Sequence, residues 1–527
     1  MSRRLMTASA AAASMAAAFL CLASLGGTAQ AGPPVQADWH KIKAAPLRAF
    51  KPQQPTRIQL DNGLVIFLQP DSELPLIEVS ATIRSGSRDE PADKVGLVNL
   101  FAQVMRTGGT KARTGDQIDD FLAARGAEIE LSSDHDSINL HSSALKSDFD
   151  DVFKLVMEML REPEFRDDKI DLAKRQLYTG IKRRNDNPMG IAMRESAKLA
   201  FGPAHPYARH AEFATVAAVT RDDLRRWQQQ CIYPNNILLG IAGDFDPAAM
   251  EAKLRGILGS WPRGQAAAPA KIVFTPPRAG VYFVAKDDVN QSNIQFVQLG
   301  ITRKNPDHYA IEVMNEILGG GFSARLFSNV RSKKGLAYSV RGAVGIGWDN
   351  PAIYRLWMGT ASKNTVKAVQ ALKDEVDGML KSPPTAIELE RAKESILNSF
   401  IFRFDSKAKI LQERIRLEFY GYPADYYEKF PAELTKVTLD DVKRVAQKYL
   451  NPAGFALLIV GKSAEFDSPL TTLGQVTNLD VSIPPPPPGL LGPRPGSPPP
   501  GGMSTAPPPG AGQNTAPTKV PGKQPIR

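Results

Sequence analysis

Metal chemistry is the first thing to test in a chain with six histidines: His40, His135, His141, His205, His210 and His308. The one dense cluster is Asp134-His135-Asp136 with His141. Read as a strand, alternation puts Asp134 and Asp136 on the face away from His135. His135 and His141 would share a face, but six residues at about 3.3 Å each leave them roughly 20 Å apart, too far for one ion. His205 and His210, five positions apart in a loop, do no better. The Asp134-His135-Asp136 and His141 cluster is expected to be solvated strand residues. Gly319-Gly320-Gly321 invites a phosphate-loop reading, but such a loop ends in Gly-Lys-Ser/Thr. This run continues Phe322-Ser323-Ala324-Arg325, so a flexible backbone turn is expected and nucleotide chemistry is excluded.

The elements that carry these residues occur twice. Leu76 to Ile83 alternates as a strand and is followed by a helix-period segment, Val95 to Met105, and by Thr107-Gly108-Gly109. Asn293 to Leu299 is a second such strand, followed by His308 to Leu318 and the glycine run. Amphipathic helices at Asp150 to Leu160 and Thr365 to Leu380 each precede a charged helix, Asp168 to Arg184 and Ala386 to Phe402. Apolar strands close each copy at Ile237 to Gly243 and Ala456 to Gly461. The expected fold is α+β, two tandem homologous domains at 52–263 and 271–468. Arg263 to Ala270 is the expected linker.

With 43% hydrophobic and 23% charged residues, the composition is that of a globular protein, not a fibrous or wholly disordered one. At about 150 residues per domain, the length of 527 suggests three or four domains. The net charge of +10 is scattered among acids without a block of like charges, which excludes a nucleic-acid stripe. Residues 1–31 read as a cleaved signal peptide: Arg3 and Arg4, an apolar run from Ala8 to Leu25, then Ala29-Gln30-Ala31. The expected location is therefore exported, periplasmic or extracellular. Cleavage would leave Cys231 as the one cysteine, with no internal disulfide. No later stretch reaches 18 apolar residues, so no membrane span is expected after cleavage. Residues 484–527 hold 16 prolines and are expected to be disordered.

Several landmarks resemble the insulinase/pitrilysin-type peptidases, which include the mitochondrial processing peptidase subunits. Leu60-Asp61-Asn62-Gly63-Leu64 is similar to the family's opening strand and turn, and Ser85 to Glu90 with Gly96-Leu97 to the approach to its metal helix. Asp186-Asn187-Pro188 and His205-Pro206-Tyr207 follow in the family's order. The closest match lies in the second copy, Leu318 to Phe327 and Val330 to Ser339. The resemblance covers roughly residues 52 to 468 and implies two α/β-sandwich domains of the processing-peptidase type.

Active members carry His-x-x-Glu-His, two imidazoles one turn apart for Zn²⁺ and a glutamate as base for the attacking water. The matching residues here are Asn99, Ala102 and Gln103. The family's third ligand falls on Gly180 and its supporting acid on Ala173. No zinc is therefore expected in this chain. Arg331 and Tyr338 match the pair that steadies the substrate carbonyl in the family, roles suited to a fixed guanidinium and a phenol donor. Glu128-Ile129-Glu130-Leu131 matches the edge strand on which an extended peptide pairs. The resemblance thus implies a subunit that supplies Arg331 and Tyr338 to a zinc-bearing homologous partner acting on extended peptides. The alternative is a structural or peptide-binding scaffold of the same fold.

Overall fold

The computed structural model describes residues 50–265, 272–275 and 277–490. The expected signal peptide, most of the linker and residues 491–527 of the tail lie outside them. Two six-stranded sheets form the frame. The first contains β1 (Thr56–Gln59), β2 (Val65–Pro70), β3 (Leu76–Ile83), β4 (Glu128–Ser133), β5 (Ile138–Leu145) and β6 (Ile237–Gly243), in the order β1-β2-β6-β3-β5-β4. The second contains β7 (Gly280–Ala285), β8 (Gln291–Leu299), β10 (Ser339–Ala343), β12 (Ile353–Ala361), β13 (Ala456–Gly461) and β14 (Val476–Asn478), in the order β10-β12-β8-β13-β7-β14. Two short segments, β9 (Ile301–Thr302) and β11 (Ile346–Gly347), pair in parallel beside it.

Reading the second order backwards reproduces the first, β4 standing where β10 stands and β6 where β13 stands. The outermost strands break the match. β1 precedes β2 and runs antiparallel to it, whereas β14 comes after the second copy and runs parallel to β7. Both copies sit in one compact unit that begins at Pro52, so the three or four domains suggested by length reduce to two packed halves.

The helices used below are α1 (Leu97–Thr107), α2 (Gly115–Ala123), α3 (Asp167–Arg183), α4 (Pro188–Phe201), α5 (Ala386–Phe400) and α6 (Lys407–Tyr420). In β3 the pattern is half-apolar: Ile77, Val79, Ala81 and Ile83 are buried under the first half's own helices. Central β6 and β13 are apolar throughout and buried on both faces. The second face of each sheet is covered by the opposite half. Leu411, Ile415 and Phe419 of α6 pack on Val65, Phe67, Leu238 and Ala242. Ile191 and Ala192 of α4 pack on Val284, Leu458 and Val460. The crossing is tight where α6 meets β6. A Cβ at Gly240 would lie 2.6 Å from Ile415 Cδ1 and 2.7 Å from Ser80 Oγ.

Two sequence expectations change here. Asp134 to Ser137 is not a strand but the hairpin turn between β4 and β5, closed by Asp134 N donating to Ser137 O. The cause is local: the Asp134 carboxylate accepts from the amides of Asp136 and Ser137, both at 2.7 Å, which bends the chain. Asp136 is not solvated either. It accepts from Arg88 (2.8 Å), Tyr207 (2.8 Å) and, across the halves, Tyr420 of α6 (2.9 Å). Second, Gly319 and Gly320 end a π-helical turn, Glu316–Gly320, rather than forming a flexible loop. Gly319 is buried so close to the Gly342 backbone of β10 that a Cβ would overlap it. The segment that leads into the proline tail is seated on the first half. Ile483 and Leu490 pack against the first half's core, and Asn185 donates to Val481 O at 2.6 Å.

Gly240→Val should force α6 off β6 and lower stability by about 1–3 kcal/mol. A urea midpoint unchanged from wild type would show that α6 is not seated there.

Candidate functional site

The first half places its candidate residues on two packed helices, α1 and α3. α1 starts at Gly96, whose φ of 105° is left-handed. Its first amides are held by the buried Glu90 carboxylate, which accepts from Gly96 N and Val98 N, both at 3.1 Å. Burial pushes Glu90 up in pKa despite those bonds. Along α1, Leu97, Val98, Leu100, Phe101, Val104 and Met105 face the core. The remaining stripe carries exposed Asn99 and half-buried Gln103, with Ala102 buried beside them.

On α3, Ala173, Gln176 and Gly180 fall on one face at helical spacing. Ala173 is buried, and Gly180 is open, with nothing within 4 Å of where a Cβ would stand. The Gln103 amide donates to the Gln176 carbonyl oxygen, joining α1 to α3. Asn99, Ala102, Gln103 and Gly180 offer no imidazole, carboxylate or thiolate, and the Gln103 amide is already engaged. These residues do not fit zinc. Among the described residues, no group of three or more His, Cys, Asp or Glu side chains could hold a metal ion.

β4 is the edge strand of the first sheet. Ile129 is buried and Leu131 half-buried on the α1 side, while Glu128 and Glu130 point to the other face. There His141 Nε2 lies 3.3 Å from Glu128, and a polar cavity of about 380 Å³ opens between β3, β5 and α6. His205 is buried in a ring cluster with Phe201 and Phe274, accepts from Tyr207 N at 3.1 Å, and is held low in pKa by burial.

In the second half, Leu326–Lys333 winds as π-helix, a form common at functional sites. It carries Arg331. The guanidinium lies 4.4 Å from the Phe327 ring centre and 5.9 Å from that of Tyr338. Tyr338, just before β10, is 79% exposed, as is Phe322, which meets Phe327 edge to face. Among the described residues, neither the Arg331 nor the Tyr338 side chain has a hydrogen-bond or ion-pair partner. The stretch between the glycines and Arg331 is clamped instead by Arg325, which grips Glu388 of α5 through two bonds of 2.7 and 2.9 Å. The hydrogen bond from Arg325 is the largest influence holding the Glu388 carboxyl at about 2. The segment that carries Arg331 packs with β10, whereas α1 packs with α3 and β4.

Sequence reasoning missed Gln176 and Tyr420, because both act on partners far along the chain. The Asx turn at Asp134 had a local signal that could have been used.

The fold matches solved structures. A "peptidase M16 inactive domain" from Pseudomonas fluorescens superposes with a TM-score of 0.71 at 24% identity, covering 79% of this chain and all of that one. A protease from Helicobacter pylori gives 0.69 at 17% identity, covering 78% and 100%. Both likenesses concern the fold. The profile described as "Insulinase (Peptidase family M16)" matches residues 66–203, and "Peptidase M16 inactive domain" matches 218–396. The chain belongs to the insulinase family, peptidase family M16. Relatives include an "uncharacterized zinc protease" of Streptomyces coelicolor (24% identical, 69% of this chain and 80% of that protein). Another is the "non-peptidase homolog YmxG" of Helicobacter pylori (22% identical, 73% and 89%).

Asn99→His, Gln103→His and Gly180→Glu together should create a zinc site with a dissociation constant near or below ~1 µM, since Gly180 faces open space. Calorimetric titration of a folded variant that takes up no zinc would show that Gly180 is not the third ligand position. A second expectation concerns pH. The depressed Glu388 value means that its clamp adds stability above the ordinary value of 4.5 and loses it as pH falls toward about 2. Pepsin cleavage near Phe322, normalised to an unfolded substrate, should rise across that window. Glu388→Gln should cut readily at its upper end; equal resistance there would sink the assignment.

Proposed function

We propose that this chain is an exported, periplasmic or extracellular subunit of a heteromeric zinc metallopeptidase, to which it supplies Arg331 and Tyr338. The observation that carries the reading is the contrast between the two halves. The first half has no zinc ligand at Asn99, Gln103 or Gly180, and an amide pair, Gln103–Gln176, bridges the helices there. The second half presents Arg331 and Tyr338 side by side, with Tyr338 exposed and, among the described residues, no acid engaging Arg331.

The division of labour follows from residue chemistry. A family partner with intact His-x-x-Glu-His brings the metal and the base. In this chain the Arg331 guanidinium is a permanent charge with a fixed donor fork, able to orient a peptide carbonyl. The Tyr338 hydroxyl donates to the oxygen on which negative charge develops. The substrate is an extended peptide, which β-strand edges bind through main-chain hydrogen bonds.

Peptide cleavage should be measured with this chain alone, with a zinc-bearing family partner alone, and with both. Only the mixture should cut. Arg331→Ala or Tyr338→Phe should lower its kcat by roughly 10²-fold or more, the usual loss for one such donor. A partner that cuts equally well alone would make this chain a scaffold or peptide binder.

A further inference from the structure

The free edge of β4 is shorter than its six residues suggest. Asp134 N donates to Ser137 O at the hairpin end, which makes that a hydrogen-bonded pair. In an antiparallel ladder such pairs alternate with pairs whose main-chain groups point away. With Glu130 opposite His141 and Ile129 opposite Ser142, the residues facing away from β5 are Ser133, Leu131 and Ile129. These three would receive an added strand.

One of the three is already taken. Arg106, on the last turn of α1, donates through Nε to the carbonyl oxygen of Ile129. Its guanidinium is mostly buried and is anchored by Asp119 of α2 at 2.8 Å, with Glu130 at 3.8 Å. The opposite end is also closed. Ser87 N donates to Asp134 O at 2.9 Å and Arg88 N to His135 O at 3.1 Å, so the 86–88 segment runs against the hairpin tip. Leu131 and Ser133 remain as the open window.

We propose that Arg106, held by Asp119, is a register stop on the β4 edge, so that an added peptide strand pairs with Leu131 and Ser133 and passes Ile129 only by displacing the guanidinium. The proposal rests on the peptide-binding reading above and adds where on this chain the peptide lies and how far it extends. Arg106 is a positioning residue: it sets the length and register of the added strand without touching a reacting group. Short peptides, or peptides with a turn or proline at the matching position, are therefore favoured over long uninterrupted strands.

The test uses the full chain and a fluorescein-labelled peptide of alternating Val, Thr and Ser, about ten residues long, a length typical of a long strand. Anisotropy gives affinity, and amide hydrogen exchange gives the rungs occupied. In wild type, the peptide should slow exchange at Leu131 and Ser133 and leave Ile129 unchanged. Arg106→Ala should extend protection to Ile129 and tighten binding about 3- to 10-fold, the gain of one further hydrogen-bonded rung. Asp119→Asn alters an exposed carboxylate and keeps the arginine, so it guards against a folding defect; it should give a smaller shift in the same direction. Protection of Ile129 already in wild type, or weaker binding by both variants, would overturn the stop. Peptide binding with protection only elsewhere, for example on β10, would overturn the stop and leave the peptide-binding reading standing. No binding by any of the three proteins would bring down both.

Discussion

Each sheet of this protein has two apolar faces, and each half has helices for only one of them. That shortage is the constraint on which the molecule depends. α6 leaves the second half to cover β2 and β6, and α4 leaves the first half to cover β8 and β13. Neither half could stand alone without exposing a sheet face lined with Val, Leu and Phe, a burial worth about 25 cal/mol per Å². The polar contacts across the halves follow the same geometry: Arg57 with Glu418 (2.9 Å), Tyr420 with Asp136 (2.9 Å), Lys407 with Asp71 (3.1 Å) and Arg355 with Ser196 (2.9 Å). These bonds orient the crossing, while the apolar area holds it.

The regular elements could be read from the chain because their signals are local. The alternation in Leu76 to Ile83, the apolar runs of β6 and β13, and the helical period of Thr365 to Leu380 each appear where expected. Two copies of one unit could also be read, since the same succession recurs. Which helix covers which sheet could not, because α6 and α4 show an ordinary apolar stripe that does not name its partner. The candidate positions Asn99, Gln103 and Gly180 were legible only through the family's spacing. The bond that joins their helices, Gln103 to Gln176, spans 73 residues and leaves no local trace. Asp134 to Ser137 was misread because its turn is made by an aspartate side chain and not by glycine.

At the first-half candidate site, α1 and α3 are joined without charged ligands. A bound ion would tie α1 to α3 through charged ligands. Here one neutral amide bond spans the two helices, and Ala102 and Ala173 fill buried space that ionisable groups would have made costly. The Glu90 cap at the start of α1 is still in place.

Cys231 ends the helix that leads into β6, 3% exposed and close to Ser85. Burial pushes its thiol far above the usual range. Only a thiolate reacts readily with disulfides and oxidants, and this one is neither ionised nor reachable at neutral pH. Among the described residues, the first half is thus silent toward thiol chemistry for as long as it is folded. Its sulfur would meet a thiol reagent only after the layer between helix and sheet had parted, so labelling of Cys231 is a built-in clock for the opening of that layer.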